Sequence, residues 1–227
     1  MKILDLPATE KGFNRIELVA VLAVLTTLAA IGWPALAAPR PRSLLTECAN
    51  NLRQVGQGLH AWAASHNDQF PWVVPGAQGG VKDGYLSLSA PNSFMVASNE
   101  LGTPFALVCP AEPTRTRMPS FSHFPLTSAY VSYFVGLHAS LDRPRAWLAG
   151  DNHLSGLSGQ SCSVAQVTNL SFGLTNGTTW LPTLHISAGN LLLADGSVNQ
   201  VSNRGLTNFV TRAEAQDWEG AVHLLMP

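Results

Sequence analysis

The feature that most constrains the fold is an almost purely apolar run from Val19 to Ala38. As an α-helix rising about 1.5 Å per residue, the stretch from Leu18 to Ala38 is about 30 Å long, which matches the hydrocarbon thickness of a bilayer. Glu17 stands at the start of this stretch, where an ionisable group is costly unless it is paired. The pattern therefore predicts a membrane-spanning helix and a functional role for Glu17.

Residues 12–17 read Gly-Phe-Asn-Arg-Ile-Glu, and this order resembles the N-terminus of type IV pilins and of the pseudopilins of type II secretion. In that family a prepilin peptidase cuts after the Gly, and the new terminal Phe is methylated. The following Glu neutralises the terminal amine of a neighbouring subunit in a filament. The resemblance implies cleavage between Gly12 and Phe13, assembly through Glu17 and a helix kink at Pro34.

Apolar residues from Leu44 to Ala63 recur at steps of three and four, which predicts an amphipathic helix. With the resemblance, the expected fold class is α+β: a long transmembrane and stalk helix packed on a small antiparallel-sheet head. The expected segments are a prepilin leader (1–12), a transmembrane helix (13–38), an amphipathic stalk helix (43–67) and a periplasmic or extracellular head (70–227).

Short apolar runs in the head are bounded by Gly, Pro and Asn, which is typical of strands. They lie at Phe105–Cys109, Ala129–Leu137, Ala146–Ala149 and Leu191–Gln200. Within the last run, Asp195-Gly196 supplies the tight turn of a predicted β-hairpin. The stretch from Leu206 to Trp218 is a candidate helix.

A second resemblance lies near the C-terminus, where a large pilin-like subfamily has a His followed, after nine further residues, by Asp-Gly. Here the matching residues are His185 and Asp195-Gly196. Related secretion pseudopilins hold calcium in a C-terminal loop, so the resemblance leaves calcium open as a cofactor, although His is a poor ligand for that ion. We expect Asp195 to shape the turn and His185 to hydrogen-bond across to the loop. Asp151 and His153 complete the candidate polar residues, and the sequence predicts no metal site.

The sequence offers little support for an enzyme or for a nucleic-acid-binding protein. Charged residues make up 12% of the chain and the net charge is −1, so there is no basic patch for nucleic acid. No phosphate loop, zinc helix or nucleophile elbow is present, and we expect no catalytic residues. Three cysteines allow at most one internal disulfide, either Cys48 with Cys109 or Cys109 with Cys162.

The resemblance implies a pilin-like structural subunit of a type II secretion or type IV pilus-type filament. Its expected partners are prepilin peptidase, other pilin-like subunits, an assembly platform with its secretion machinery, and the bacterial inner membrane, with the head in the periplasm. Two alternatives remain open. Ala35–Ala37 fits a Sec cleavage site that would release a soluble protein starting at Ala38. An exposed row of tryptophans would instead favour an exported carbohydrate-binding or hydrolytic protein.

Overall fold

The computed structural model describes residues 14–32, 41–83, 88–122, 125–162, 167–175, 177–216 and 222–227. The chain divides into two compact units, Met1–Pro39 and Arg40–Pro227, and each is described by itself. The described part of the first unit is one helix, α1 (Arg15–Gly32). The second unit is an α+β domain built on a seven-stranded antiparallel sheet.

The second unit begins with helix α2 (Pro41–Ala64), which has a proline at its first position, where the missing N–H would have no helical partner. One face of α2 is fully buried, and its members follow the predicted three- and four-residue steps: Cys48, Leu52, Val55, Leu59 and Trp62. Two glycines let α2 approach its neighbours closely. A Cβ on Gly56 would lie 3.0 Å from Leu192, and one on Gly58 would lie 2.6 Å from Leu101.

The prediction of one long transmembrane and stalk helix is wrong. Among the described residues, no helix is long and apolar enough to cross a membrane. Helix α1 has 18 residues, about 27 Å at 1.5 Å per residue, and it begins with the charged Arg15 and Glu17. Helix α2 is not a stalk, because one whole face of it forms the core of the second unit. Residues 13 and 33–38 of the predicted span lie outside the described residues.

The remaining elements follow α2 in chain order. The helices are α3 (Ala90–Val96), α4 (Ser98–Leu101), α5 (Pro182–His185) and α6 (Asn203–Gln216). The strands are β1 (Tyr133–Gly136), β2 (Trp147–Asp151), β3 (Leu154–Ser155), β4 (Ser158–Cys162), β5 (Val167–Gly173), β6 (Thr179–Trp180), β7 (Ala188–Leu193), β8 (Val198–Ser202) and β9 (His223–Leu225). The main sheet has the order β4-β5-β9-β1-β2-β7-β8, and β3 pairs with β6 in a second sheet.

The central strands of the main sheet are buried on both faces. Along β1, Tyr133 and Val135 belong to the cluster that includes α2, whereas Phe134 belongs to a second cluster with residues of α6. This is the two-residue alternation of a strand. Leu192 of β7 likewise joins the first cluster, while Leu191 joins the second. The second unit therefore has three layers, with α2 and α6 on opposite faces of the sheet.

The local predictions for the head had mixed outcomes. The β7–β8 hairpin is confirmed, and Gly196 at its turn has φ +83°, in the left-handed region that favours glycine. The run Ala129–Leu137 contains β1, and the candidate C-terminal helix corresponds to α6. The strand predicted at Phe105–Cys109 is wrong. Pro104 opens a 3₁₀ helix there, Pro104–Leu107, which is capped by the Thr103 side chain.

Candidate functional site

Helix α1 presents apolar side chains on all sides. Eight large ones are between 44% and 76% exposed: Ile16, Leu18, Val19, Val21, Leu22, Val24, Leu25 and Leu28. Its polar side chains in the middle are satisfied internally, because the hydroxyls of Thr26 and Thr27 both donate to carbonyl oxygens one turn earlier. A helix that is apolar all round is normally buried. The surface of α1 therefore requires an apolar partner.

Glu17 lies in the first turn of α1 and accepts a hydrogen bond from the backbone N–H of Asn14 at 3.0 Å. A carboxylate is favourable at this end because the helix dipole places partial positive charge there. The side chain is exposed at the start of the apolar surface. The other residues predicted to act in processing and bending, Gly12, Phe13 and Pro34, lie outside the described residues.

A buried polar cluster lies in the second unit, where the Cys48–Cys109 disulfide joins α2 to the loop after the 3₁₀ helix. His185, at the end of α5, places its Nε2 3.3 Å from the sulfur of Cys109 and 3.7 Å from Oδ2 of Asp151. Asp151 ends β2 and is fully buried. The structure thus selects one of the two disulfides that the sequence left open.

Asn190 of β7 holds the carboxyl of Asp151 in place. Its backbone N–H and its Nδ2 donate to Oδ2 of Asp151 at 2.7 and 3.0 Å, and Nδ2 also lies 3.2 Å from the carbonyl oxygen of Leu45 in α2. Burial raises the pKa of Asp151 to about 7, against the opposing effect of the Asn190 hydrogen bonds. Burial lowers the pKa of His185 to about 4, and the nearby His153 adds to this. Near pH 6 both side chains are therefore neutral.

A second group of polar side chains continues from this cluster. Glu112 is 4% exposed and accepts a hydrogen bond from Nε of Arg115 at 2.9 Å. The Nε2 of His153 lies 3.8 Å from the same carboxylate oxygen. The negative charge of Glu112 contributes to the raised pKa of Asp151. Burial lowers the pKa of His153, although the charge of Glu112 opposes this.

The residues of the cluster are buried, and three cavities of the second unit lie elsewhere. Three cavities of about 500, 320 and 240 Å³ are lined by other residues. With Cys48 and Cys109 joined, the metal donors left at this point are the Asp151 carboxyl and the His185 imidazole. Calcium needs six to eight oxygen ligands, so these residues do not fit the ion that the resemblance left open.

The residues of the C-terminal signature contact different partners. His185 contacts Asp151 and Cys109, whereas Oδ1 of Asp195 accepts a hydrogen bond from the backbone N–H of Ser197 at 2.8 Å. The turn at Asp195 and Gly196 rests on α2, because Nε2 of His60 lies 2.8 Å from the carbonyl oxygen of Ala194. Asp195 therefore shapes the turn, and the structure does not bring it together with His185.

Sequence reasoning missed Glu112 and Asn190. Asn190 could have been found, because it is a lone amide within the apolar strand sequence Gly-Asn-Leu-Leu-Leu, and a buried polar side chain needs partners. Glu112 carries no such signal, since it lies in a polar loop of irregular structure.

Tryptophan burial bears on the carbohydrate-binding alternative. Four of the six tryptophans lie in the described part of the chain, and each is at most 2% exposed: Trp62, Trp72, Trp147 and Trp180. These four rings are core residues, and they cannot form a stacking surface for sugars. They give that alternative no support.

Comparison with known proteins adds no relative. No protein-family model, no curated protein and no solved structure matches the chain.

Proposed function

We propose that this chain is a pilin-like structural subunit that joins a filament through α1, with the second unit as its exported head. The observation that carries the proposal is the apolar surface of α1, with Glu17 at its beginning. The occupant of that surface is the corresponding helix of other subunits. Packing of such helices buries the exposed leucines and valines, at about 25 cal/mol for each Å² of apolar area removed from water.

Glu17 gives this packing its register. The Gly12-Phe13 step resembles a prepilin peptidase site, and cleavage there creates a terminal amine four residues before Glu17. Within the chain, Glu17 already accepts a backbone N–H at the start of α1. In a filament the same carboxylate pairs with the terminal amine of the adjacent subunit. Leaving one charge of a buried pair alone costs about 3–5 kcal/mol, so the pairing favours one axial position over others.

The disulfide of the second unit supports an exported head. Cys48–Cys109 closes a long loop, and disulfides of this kind persist in oxidising compartments outside the cytoplasm. The buried polar cluster beside the disulfide links neighbouring strands through the Asn190–Asp151 hydrogen bonds, and we infer a structural role for the head.

The test starts with the N-terminus of the mature protein. The full chain is expressed in a bacterium that carries a prepilin peptidase and a filament assembly system, and its intact mass and N-terminal sequence are measured. A chain that begins at methylated Phe13 supports the proposal. A chain that begins at Ala38 overturns it in favour of a soluble exported protein.

Assembly is then compared between Glu17→Ala and a matched control, Glu100→Ala, which removes an exposed carboxylate from α4. We expect Glu17→Ala to be cleaved normally but to enter sedimentable filaments on the order of 100-fold less than wild type, because the terminal amine loses its partner. Glu100→Ala should assemble as wild type does. Normal assembly of Glu17→Ala would refute the pairing.

A further inference from the structure

Three metal-ligating side chains from distant parts of the sequence meet inside the second unit. His138 follows β1, Cys162 ends β4 and His223 begins β9. Nε2 of His138 lies 3.1 Å from the sulfur of Cys162 and 2.9 Å from Nδ1 of His223. The three ligand atoms all lie within 4.8 Å of one another, and the residues are 6%, 1% and 5% exposed respectively.

The three atoms converge on one another at short distances. A ring nitrogen either donates one proton or accepts through one in-plane lone pair. Nε2 of His138 faces both the Cys162 sulfur and Nδ1 of His223, so its single proton or lone pair is directed at two neighbours. A cation between the three atoms uses a lone pair from each of them at once.

We propose that His138, Cys162 and His223 bind a zinc ion, with water in the fourth position. One thiolate and two neutral imidazoles are the ligands that Zn²⁺ prefers, with Zn–S of about 2.3 Å and Zn–N of about 2.0–2.1 Å. Tetrahedral angles then separate the two nitrogens by about 3.3 Å and each nitrogen from the sulfur by about 3.6 Å. The observed 2.9 and 3.1 Å separations need to open by only about half an ångström.

A cavity of the second unit reaches one of the three residues, His138. A cavity of about 320 Å³ is bordered by His138 and also by the carboxylates of Asp68 and Asp142 and the guanidinium of Arg143. Two acidic residues against one arginine give the cavity a net negative charge, which favours a cation. Binding of zinc displaces the thiol proton of Cys162 to solvent, so zinc affinity should fall as the pH is lowered.

The ion would have a clear structural effect. It would tie the end of the β4–β5 hairpin to β1 and β9, which lie further along the same sheet. It would also hold the sulfur of Cys162 in a metal bond. Cys162 is the cysteine left over by the Cys48–Cys109 disulfide, and the chain has three cysteines in all.

The test uses the full chain with its disulfide intact and titrates it with zinc and, separately, with cobalt(II) as a spectroscopic probe. We expect one zinc per chain by calorimetry and a zinc-dependent rise of Tm. Cobalt should show the intense visible bands of a tetrahedral site together with a thiolate-to-metal charge-transfer band. Because the other two cysteines are oxidised, that band in the wild-type protein can come only from Cys162.

Variants identify the ligands. Cys162→Ser and His223→Gln should each weaken zinc binding at least about 100-fold, since loss of an outer-shell partner alone costs roughly 10- to 100-fold. His66→Gln is the matched control, because His66 stacks on Trp62 and is not part of the cluster. If the variants do not fold, the wild-type cobalt spectrum decides. Absence of the charge-transfer band, or zinc affinity equal in wild type and Cys162→Ser, overturns the proposal.

Discussion

Replacing Asp151 by Asn should stabilise the protein at alkaline pH and have little effect at acid pH. The Asn side chain retains an oxygen that can accept the two hydrogen bonds from Asn190. The substitution removes the negative charge that the buried Asp side chain carries when it is ionised. Folding raises the pKa of Asp151 from its ordinary value of 3.8 to about 7, chiefly because the side chain is buried.

The sign and size of this pH-dependent difference in stability follow from proton linkage. A carboxyl group whose pKa is raised by folding contributes its full stability below the unfolded pKa and loses it as the pH rises towards the folded pKa. For Asp151 this loss runs from about pH 4 to about pH 7. Each pKa unit is worth about 1.4 kcal/mol, so the wild type loses about 4 kcal/mol across this window. Asp151→Asn should not lose it.

The assay is urea unfolding followed by tryptophan fluorescence, at about pH 4 and about pH 8, without reductant. A mild detergent keeps the exposed apolar surface of α1 in solution. The free energy of unfolding of Asp151→Asn minus that of wild type should increase by about 4 kcal/mol between the two pH values. Asp195→Asn is the control, because it makes the same chemical change at an exposed carboxylate.

A different outcome would refute the reasoning. If Asp151→Asn is less stable than wild type at about pH 8, the ionised carboxylate is stabilised in the folded protein by a charged His185 and is not penalised by its burial. A difference that does not change with pH would equally contradict the raised pKa. His185 is present in both proteins, so its own titration is largely removed by the subtraction.

Two further predictions concern stability. Replacing Cys48 and Cys109 together by Ala should lower the free energy of unfolding by about 4 kcal/mol, because the disulfide closes a loop between residues 61 positions apart. Unfolding of the wild type with and without reductant provides the same comparison. Equal stability under the two conditions would contradict the prediction. Gly189→Ala should lower the free energy of unfolding by about 1–3 kcal/mol, because the new Cβ would lie 2.7 Å from the buried ring of Trp180. As a control, the Cβ of Gly159→Ala would meet no atom within 4 Å, so this variant should leave Tm nearly unchanged.

Sequence reasoning predicted best those elements that depend on neighbouring residues. The buried face of α2 follows from its three- and four-residue steps, and the β7–β8 hairpin follows from Asp-Gly between apolar runs. The sequence could not show that α2 is a core helix rather than a stalk. An amphipathic helix has the same sequence pattern whether its apolar face packs inside its own domain or the helix extends from the domain as a stalk.

Predictions that depend on distant pairing failed or were not made. Strand β9 has three residues and pairs with β1 and β5, which are far away in the sequence. The pairs Asp151–Asn190 and His138–His223 are 39 and 85 residues apart, and no short spacing motif marks them. Such sites are created by strand order, and strand order is the part of a fold that local patterns determine least.

The central position of β9 has a consequence for biosynthesis. Residues 223–225 lie between β5 and β1, so any chain that has not been translated past them exposes two unpaired strand edges. The ribosome must therefore complete residues 1–225 before the sheet can close, and premature termination before residue 222 leaves an aggregation-prone product. Closure of the sheet is therefore a late event in the folding of the second unit.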